Sequence, residues 1–125
     1  MDPRISKEIT LMKENIQREQ SLTGMAQSVH ISSSRLYHLF KAETGTTPTH
    51  YLQSLRMQRA KYLLETTFLR VKEIGMKVGI NGDSHFVRDF KLEYGMSPTR
   101  YRAYYWSALS AAVVNTARQN SEIGQ

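Results

Sequence analysis

The stretch LTGMAQSVHISSSRLYHLFKAETGTTPTHY, from Leu22 to Tyr51, returns about fifty residues later as VKEIGMKVGINGDSHFVRDFKLEYGMSPTRY, from Val71 to Tyr101. Leu22 to Ile31 match Val71 to Ile80 at one constant offset. After a single inserted residue in the turn, Leu36, Phe40, Lys41, Glu43, Gly45, Pro48 and Tyr51 match Phe86, Phe90, Lys91, Glu93, Gly95, Pro98 and Tyr101. A fixed period of this kind means one supersecondary unit used twice, and it constrains the architecture before any local propensity does.

Each copy reads as a short helix, a tight turn and a second helix. Where the two helices cross, only a small side chain lets the backbones approach, and Ala26 and Gly75 occupy that position. Apolar side chains then wedge the angle: Met25, Val29, Ile31, Leu36 and Leu39 in the first copy, Ile74, Val78, Ile80, Phe86 and Phe90 in the second. The turn favours a residue able to adopt positive φ, a need that Gly79 meets directly and His30 less well. This order of small, apolar and turn residues predicts two helix-turn-helix units.

Working outward, Asp2 before Pro3 signals a helix start, and Ile5, Ile9, Met12 and Ile16 form one apolar stripe, predicting a helix from Pro3 to about Arg18. Ser21 and Ser32 are candidate caps for the two helices of the first unit, and Gly45 ends the second of them in the left-handed conformation. Thr47 and Pro48 open a helix to about Thr66, with Tyr51, Leu52, Leu55, Ala60, Leu63 and Leu64 broadly on one face. It contains neither Pro nor Gly after its start, so it reads as a continuous rod of roughly 27 Å. The second unit runs from about Leu69 to Tyr94 and stops at Gly95; Ser97 and Pro98 open a last helix through Tyr101. With no sustained period-two alternation, the fold class is all-α, about seven helices. The organisation is a first helix-turn-helix subdomain over 1–46, a linker helix over 47–66, a second subdomain over 67–102, and a C-terminal tail over 103–125. That tail is expected to be partly helical, with Tyr104, Tyr105, Trp106, Leu109, Val113 and Ala117 on an apolar side and its end, from about Arg118, frayed.

Composition narrows the function. A chain of 125 residues, 40% hydrophobic and 22% charged, can build one ordinary core or two very small ones. No apolar run is long enough to span a membrane, and no signal-peptide pattern opens the chain. The absence of cysteine excludes a disulfide scaffold and thiolate-bound metal and is compatible with a reducing cytoplasm. The histidines His30, His38, His50 and His85 lack metal-ligand spacing, and no phosphate loop or nucleophile elbow appears. Neither an enzyme nor a cofactor or metal is therefore expected. A net charge of +6 favours a polyanionic partner.

On the second helix of the first copy, Leu36, Leu39 and Phe40 set the buried direction; Ser34, His38 and Lys41 face away, flanked by Tyr37 and Arg35. On its counterpart Phe86 and Phe90 point inward, leaving Ser84, Arg88 and Lys91 outward, flanked by Val87 and His85. Recognition helices read bases from their N-terminal half, which makes Ser34, Tyr37, His38, Ser84, Val87 and Arg88 the base-reading candidates. Arg88 can donate two hydrogen bonds to guanine, His38 can donate or accept one, and Val87 and the Tyr37 ring can rest on thymine methyls. The serines suit a base or a phosphate. Lys41 and Lys91 lie near helix C-termini, where a cation complements the dipole as readily as it meets a phosphate. The N-terminal amides near Leu22 and Val71 are candidate contacts to the DNA backbone.

Taken together, these residues resemble the C-terminal DNA-binding domain of the AraC/XylS family of bacterial transcription regulators. The resemblance spans about Ile5 to Arg102 and is strongest in IGMKVGI…SHFVRDFKLEYGMSPTRYR and in RMQRAKYLLETT of the linker helix. It implies that the linker holds two recognition helices for successive major grooves, about 34 Å apart along one face of double-stranded DNA. The family's base-reading positions map onto Ser34, Tyr37, His38, Ser84, Val87 and Arg88. It further implies a cytoplasmic regulator, activating through contact with RNA polymerase, and an effector or dimerisation domain not present in this chain. The abrupt start at the first helix favours a fragment over a stand-alone regulator. The chain departs from the pattern with Gly75 where the family often has Ala, His30 where it often has Gly, and Asp89 at the counterpart of Leu39. The last departure predicts looser packing of the second unit, and an acid that weakens phosphate binding unless paired with a neighbour such as Arg88. The competing reading is a helical protein-interaction adaptor that docks through Tyr104 to Val113 and binds no DNA.

Overall fold

The computed structural model describes residues 1–18, 20–80 and 82–123, with only the backbone described for Asp83 and residues 120–123. Its elements are α1 (Pro3–Glu14), α2 (Leu22–Ser28), α3 (Ser33–Thr44), α4 (Pro48–Thr66), α5 (Val71–Lys77), α6 (Asp83–Tyr94) and α7 (Pro98–Ile123). Among the described residues there is no strand.

Helix boundaries follow from caps that repeat between the two copies. Thr47 Oγ1 accepts from the His50 amide and Ser97 Oγ from the Arg100 amide, both at 3.2 Å, and a proline follows each cap. Gly45 and Gly95 close α3 and α6 with φ of 80° and 81°, donating to the Lys41 and Lys91 carbonyls at 2.8 Å. The turn residues behave alike: His30 and Gly79 take φ of 59° and 86°, and the amides after them reach back to the Ala26 and Gly75 carbonyls.

The first helix is shorter than its apolar stripe suggests. It ends at Glu14, with Asn15 as its cap, rather than at about Arg18. The cause is remote in sequence: Arg56 of α4 donates through Nε to the Ile16 carbonyl at 3.0 Å and through Nη2 to the Arg18 carbonyl at 2.8 Å. Those carbonyls are held by a guanidinium, out of helical register.

Two hydrophobic cores result. One gathers Ile5, Met12, Met25, Ala26, Val29, Leu36, Phe40 and Leu52; the other gathers Met57, Ala60, Leu64, Ile74, Val78, Ile80, Phe86 and Phe90. Helix α4 therefore does not present one apolar face. Its first half gives Leu52, with Tyr51 and Leu55 packed alongside, to the first core; its second half gives Met57, Ala60 and Leu64 to the other. At about 100° per residue these two stripes lie on nearly opposite sides of the rod. The linker is the last wall of one unit and the first wall of the next.

Helix α7 docks on the end of α4 by satisfying its terminal carbonyls. Arg102 Nε donates to the Leu64 carbonyl at 3.1 Å, Trp106 Nε1 to the Glu65 carbonyl at 3.0 Å, and the Tyr101 hydroxyl to the Glu65 carboxylate. No break in secondary structure separates residue 102 from the expected tail. The backbone is helical through Ile123, not frayed from Arg118; residues 124 and 125 lie outside the described residues.

Candidate nucleic-acid interface

The wedge residues aim one face of α3 and one face of α6 outward in the same register. Leu36 and Phe40 are buried under α3, Phe86 and Phe90 under α6. Ser34, His38 and Lys41 are exposed and Tyr37 half-buried; on α6, Ser84, Arg88 and Lys91 are exposed and Val87 half-buried. Each of these pairs stands at the repeat offset, so the two helices present equivalent positions with different chemistry. The Tyr37 ring packs edge-on against His38 with centroids 5.3 Å apart, and Lys41 Nζ lies 5.9 Å from the Tyr37 ring centre. On the other helix, Arg88 Nη2 sits 3.0 Å from His85 Nδ1 and Arg88 Nε 3.5 Å from Asp89 Oδ1. The guanidinium is held along its own helix while its side chain stays 63% exposed.

Asp89 does not loosen the second unit, contrary to the expectation from its sequence position. Its Oδ2 accepts from Gln53 Nε2 at 2.9 Å, pinning α6 to the middle of α4, while Phe86 and Phe90 remain fully packed. It also neutralises part of the Arg88 charge, the pairing that sequence left open.

The crossings are matched to their partners. Ala26 shares its core with Leu36, whereas Gly75 lies against Phe86, and a Cβ on Gly75 would lie 3.3 Å from the Phe86 ring. The larger ring takes the space that alanine would need. Gly79 is constrained twice: its φ is positive, and a Cβ there would meet the Gln17 carbonyl oxygen at 2.8 Å. The turn of the second unit thus rests directly on the loop after α1.

The helix starts differ. Ser21 Oγ accepts from the Gly24 amide at 3.0 Å and Ser32 Oγ from the Arg35 amide at 3.1 Å. Arg70 and Gly82, at the starts of α5 and α6, make no side-chain cap. Leu22 and Val71, at the first positions of α2 and α5, are half-buried and packed on their cores, leaving only their backbone amides for an anion. Sequence reasoning missed Arg56 and Gln53, because both act across some forty residues and neither carries a motif. Among the described residues no group of His, Cys, Asp and Glu converges as a metal site, and no helix is long and apolar enough to cross a membrane.

Two small cores, two outward helices in one register and a shared rigid rod define a double helix-turn-helix domain. The model of a helix-turn-helix domain family matches residues 25–104. Among curated relatives, the transcriptional activator RhaR of Enterobacter sp. (strain 638) is 34% identical over 98 residues, covering 78% of this chain and 35% of that protein. The arabinose operon regulatory protein of Escherichia coli K12 is 32% identical over 104 residues, covering 82% of this chain and 36% of its own. This chain thus spans about a third of the length of these relatives. A solved AraC-type transcriptional regulator from Chromobacterium violaceum superposes with a TM-score of 0.77 at 31% identity, covering 82% of this chain and 92% of that one. The DNA-binding domain of AdpA, solved with a target DNA, shares the fold with a TM-score of 0.81 at 24% identity, covering 84% of this chain and 95% of its own. The chain belongs to the AraC family of helix-turn-helix transcription regulators.

Proposed function

We propose that this chain binds duplex DNA sequence-specifically, with α3 and α6 in successive major grooves, and serves as the DNA-reading part of a transcriptional activator. The observation that carries this reading is the pair of polar helix faces in matching register, each backed by its own core and joined through one helix. Ser34, Tyr37 and His38 would read one half-site and Ser84, Val87 and Arg88 the other. Lys41, Lys91 and the amides at Leu22 and Val71 would meet phosphates. A cytoplasmic location, contact with RNA polymerase and an effector or dimerisation domain elsewhere in the full regulator follow from the same reading. A binding role of this kind requires neither catalysis nor a cofactor.

The test is selection of bound sites from a random duplex library, followed by salt titration. With on the order of six phosphate contacts, affinity should fall with a log–log slope near −5. Replacing Arg88 with Ala should relax preference at one base position of the second half-site and cost roughly 1–3 kcal/mol of binding. Unchanged preference at every position would remove Arg88 from the reading set.

The competing adaptor reading has one observation in its favour. Beyond Trp106, α7 carries Leu109, Val113 and Val114 exposed, in a run from Ala103 to Ala117 without a charged residue. Failure to shift any duplex at low salt would favour it.

A further inference from the structure

Glu8 lies on the buried face of α1 between Ile5 and Met12 and is 1% exposed. The second unit supplies an internal control. Met57, Ala60 and Leu64 of α4 serve the second core as Ile5, Glu8 and Met12 serve the first, at one constant offset. Where one unit buries a methyl group, the other buries a carboxyl.

That carboxyl is not satisfied from within. Among the described residues its Oε2 has no hydrogen-bond partner, a condition that costs far more for a carboxylate than for a neutral group. Loss of solvent pushes its pKa up to about 7. Glu8 lines a cavity of about 130 Å³ between α1 and α2, shared with Asn15, Arg18, Gln20, Ser21, Met25 and Ser28. Three of the polar members each turn one donor onto the backbone: Asn15 Nδ2 to the Leu11 carbonyl at 3.3 Å, Gln20 Nε2 to the Asn15 carbonyl at 3.0 Å, and the Ser28 hydroxyl to the Gly24 carbonyl at 3.0 Å. Their side-chain oxygens, Asn15 Oδ1, Gln20 Oε1 and Ser28 Oγ, remain as acceptors. Arg18 is exposed, so its charge is screened by solvent in a way the Glu8 carboxyl is not.

We infer that this cavity is a binding site for the primary ammonium group of a small organic amine, with Glu8 as its counter-ion and the surrounding amide and hydroxyl oxygens as further acceptors. An ammonium has three donors and no acceptor, which complements an acceptor-rich pocket holding one unpaired carboxyl. Among the described residues the cavity has one carboxylate, fewer than a dedicated calcium cage supplies. Met25 and Leu11 give the walls an apolar part, suited to a short alkyl chain.

The experiment is an amide NMR titration of the full chain with propylammonium chloride at pH 8, at ionic strength held constant with sodium chloride. Saturable shifts centred on Ser21, Gly24 and Ser28 are expected, with at least a tenfold loss of affinity in Glu8→Gln. Ser28→Leu, which narrows the cavity and leaves the carboxyl in place, should also abolish saturation. Neither 1-propanol nor sodium propionate should reproduce the shifts. Equal response to 1-propanol, saturation by sodium chloride alone, or undiminished binding in a folded Glu8→Gln protein would each overturn the proposal.

Discussion

The two helix-turn-helix units share a frame and differ in what fills it. The first uses serine caps at both of its helices, an alanine crossing against Leu36, a histidine in the left-handed turn and a carboxyl inside its core. The second leaves both helix starts without side-chain caps, sets a glycine against Phe86, has glycine in its turn, and buries Ala60 where the first buries Glu8. Repetition of the frame shows which positions the backbone demands; divergence within it shows which positions are open to specialisation. Gly45 and Gly95, Thr47 and Ser97, and Pro48 and Pro98 are of the first kind. Glu8, Gly75, Gly79 and Asp89 are of the second.

The comparison can be broken hardest at Gly79. Gly79→Ala combines an unfavourable φ with a Cβ pressed on the Gln17 carbonyl, and should cost about 3 kcal/mol or more by thermal or urea unfolding. A loss below about 1 kcal/mol, the αL cost alone, would mean the turn does not rest on that loop.

Glu8 comes next, through pH. Its folded pKa of about 7 stands above its ordinary 4.5, so below about 4.5 the carboxyl is protonated in both states and its contribution to stability is intact. As pH rises from about 4.5 to about 7 the unfolded state ionises while the folded state stays protonated, and that stability is lost, fully so once pH has passed the folded value. The advantage of Glu8→Gln over the parent should therefore grow between pH 4 and pH 8 by up to about 3 kcal/mol. Parallel pH–stability curves would place the carboxyl in water.

A smaller effect tests the crossings. Gly75→Ala and Phe86→Leu should each destabilise alone, yet together recreate the Ala26–Leu36 pairing and recover on the order of 1 kcal/mol relative to the sum of the single changes. Strict additivity would show that the two positions do not share the space. Smallest is Arg70→Ser, which supplies α5 with the cap that Ser21 gives α2 and should add about 0.5–1 kcal/mol of stability. It also removes only an exposed ion pair with Glu73, at 3.6 Å. If the α5 amides hold a phosphate, the same change should weaken duplex binding and flatten its salt dependence.

Much of the fold is legible in the sequence because its signals are local. Ser33–Thr44 and Pro48–Thr66 have the bounds their caps and glycines announce, and the wedge residues of both units lie in the cores as their spacing requires. What escapes is what distant partners decide. The end of α1 depends on Arg56, forty positions away; the role of Asp89 depends on Gln53; and the opposed stripes of α4 blur into a single face when both cores are projected onto one wheel. Glu8 escapes because the stripe of Ile5, Ile9, Met12 and Ile16 is complete without it. Aligning α1 with the second half of α4 would have exposed it. The polar residues of α3 and α6 are found by direction alone, since the same helical period that hides Leu36 and Phe86 turns His38 and Arg88 outward.

Helix α4 carries one further consequence. Because opposite sides of a single rod close two separate compartments, inserting one residue near Arg56 would turn one half against the other by about 100° and advance it by only about 1.5 Å. Only insertions close to a whole number of turns, about 7, 11 or 18 residues, would slide the halves apart and keep their faces in phase. A regulator built this way is locked in phase: if its two heads read one duplex, a target with altered spacing must be accommodated by the bend and twist of the DNA.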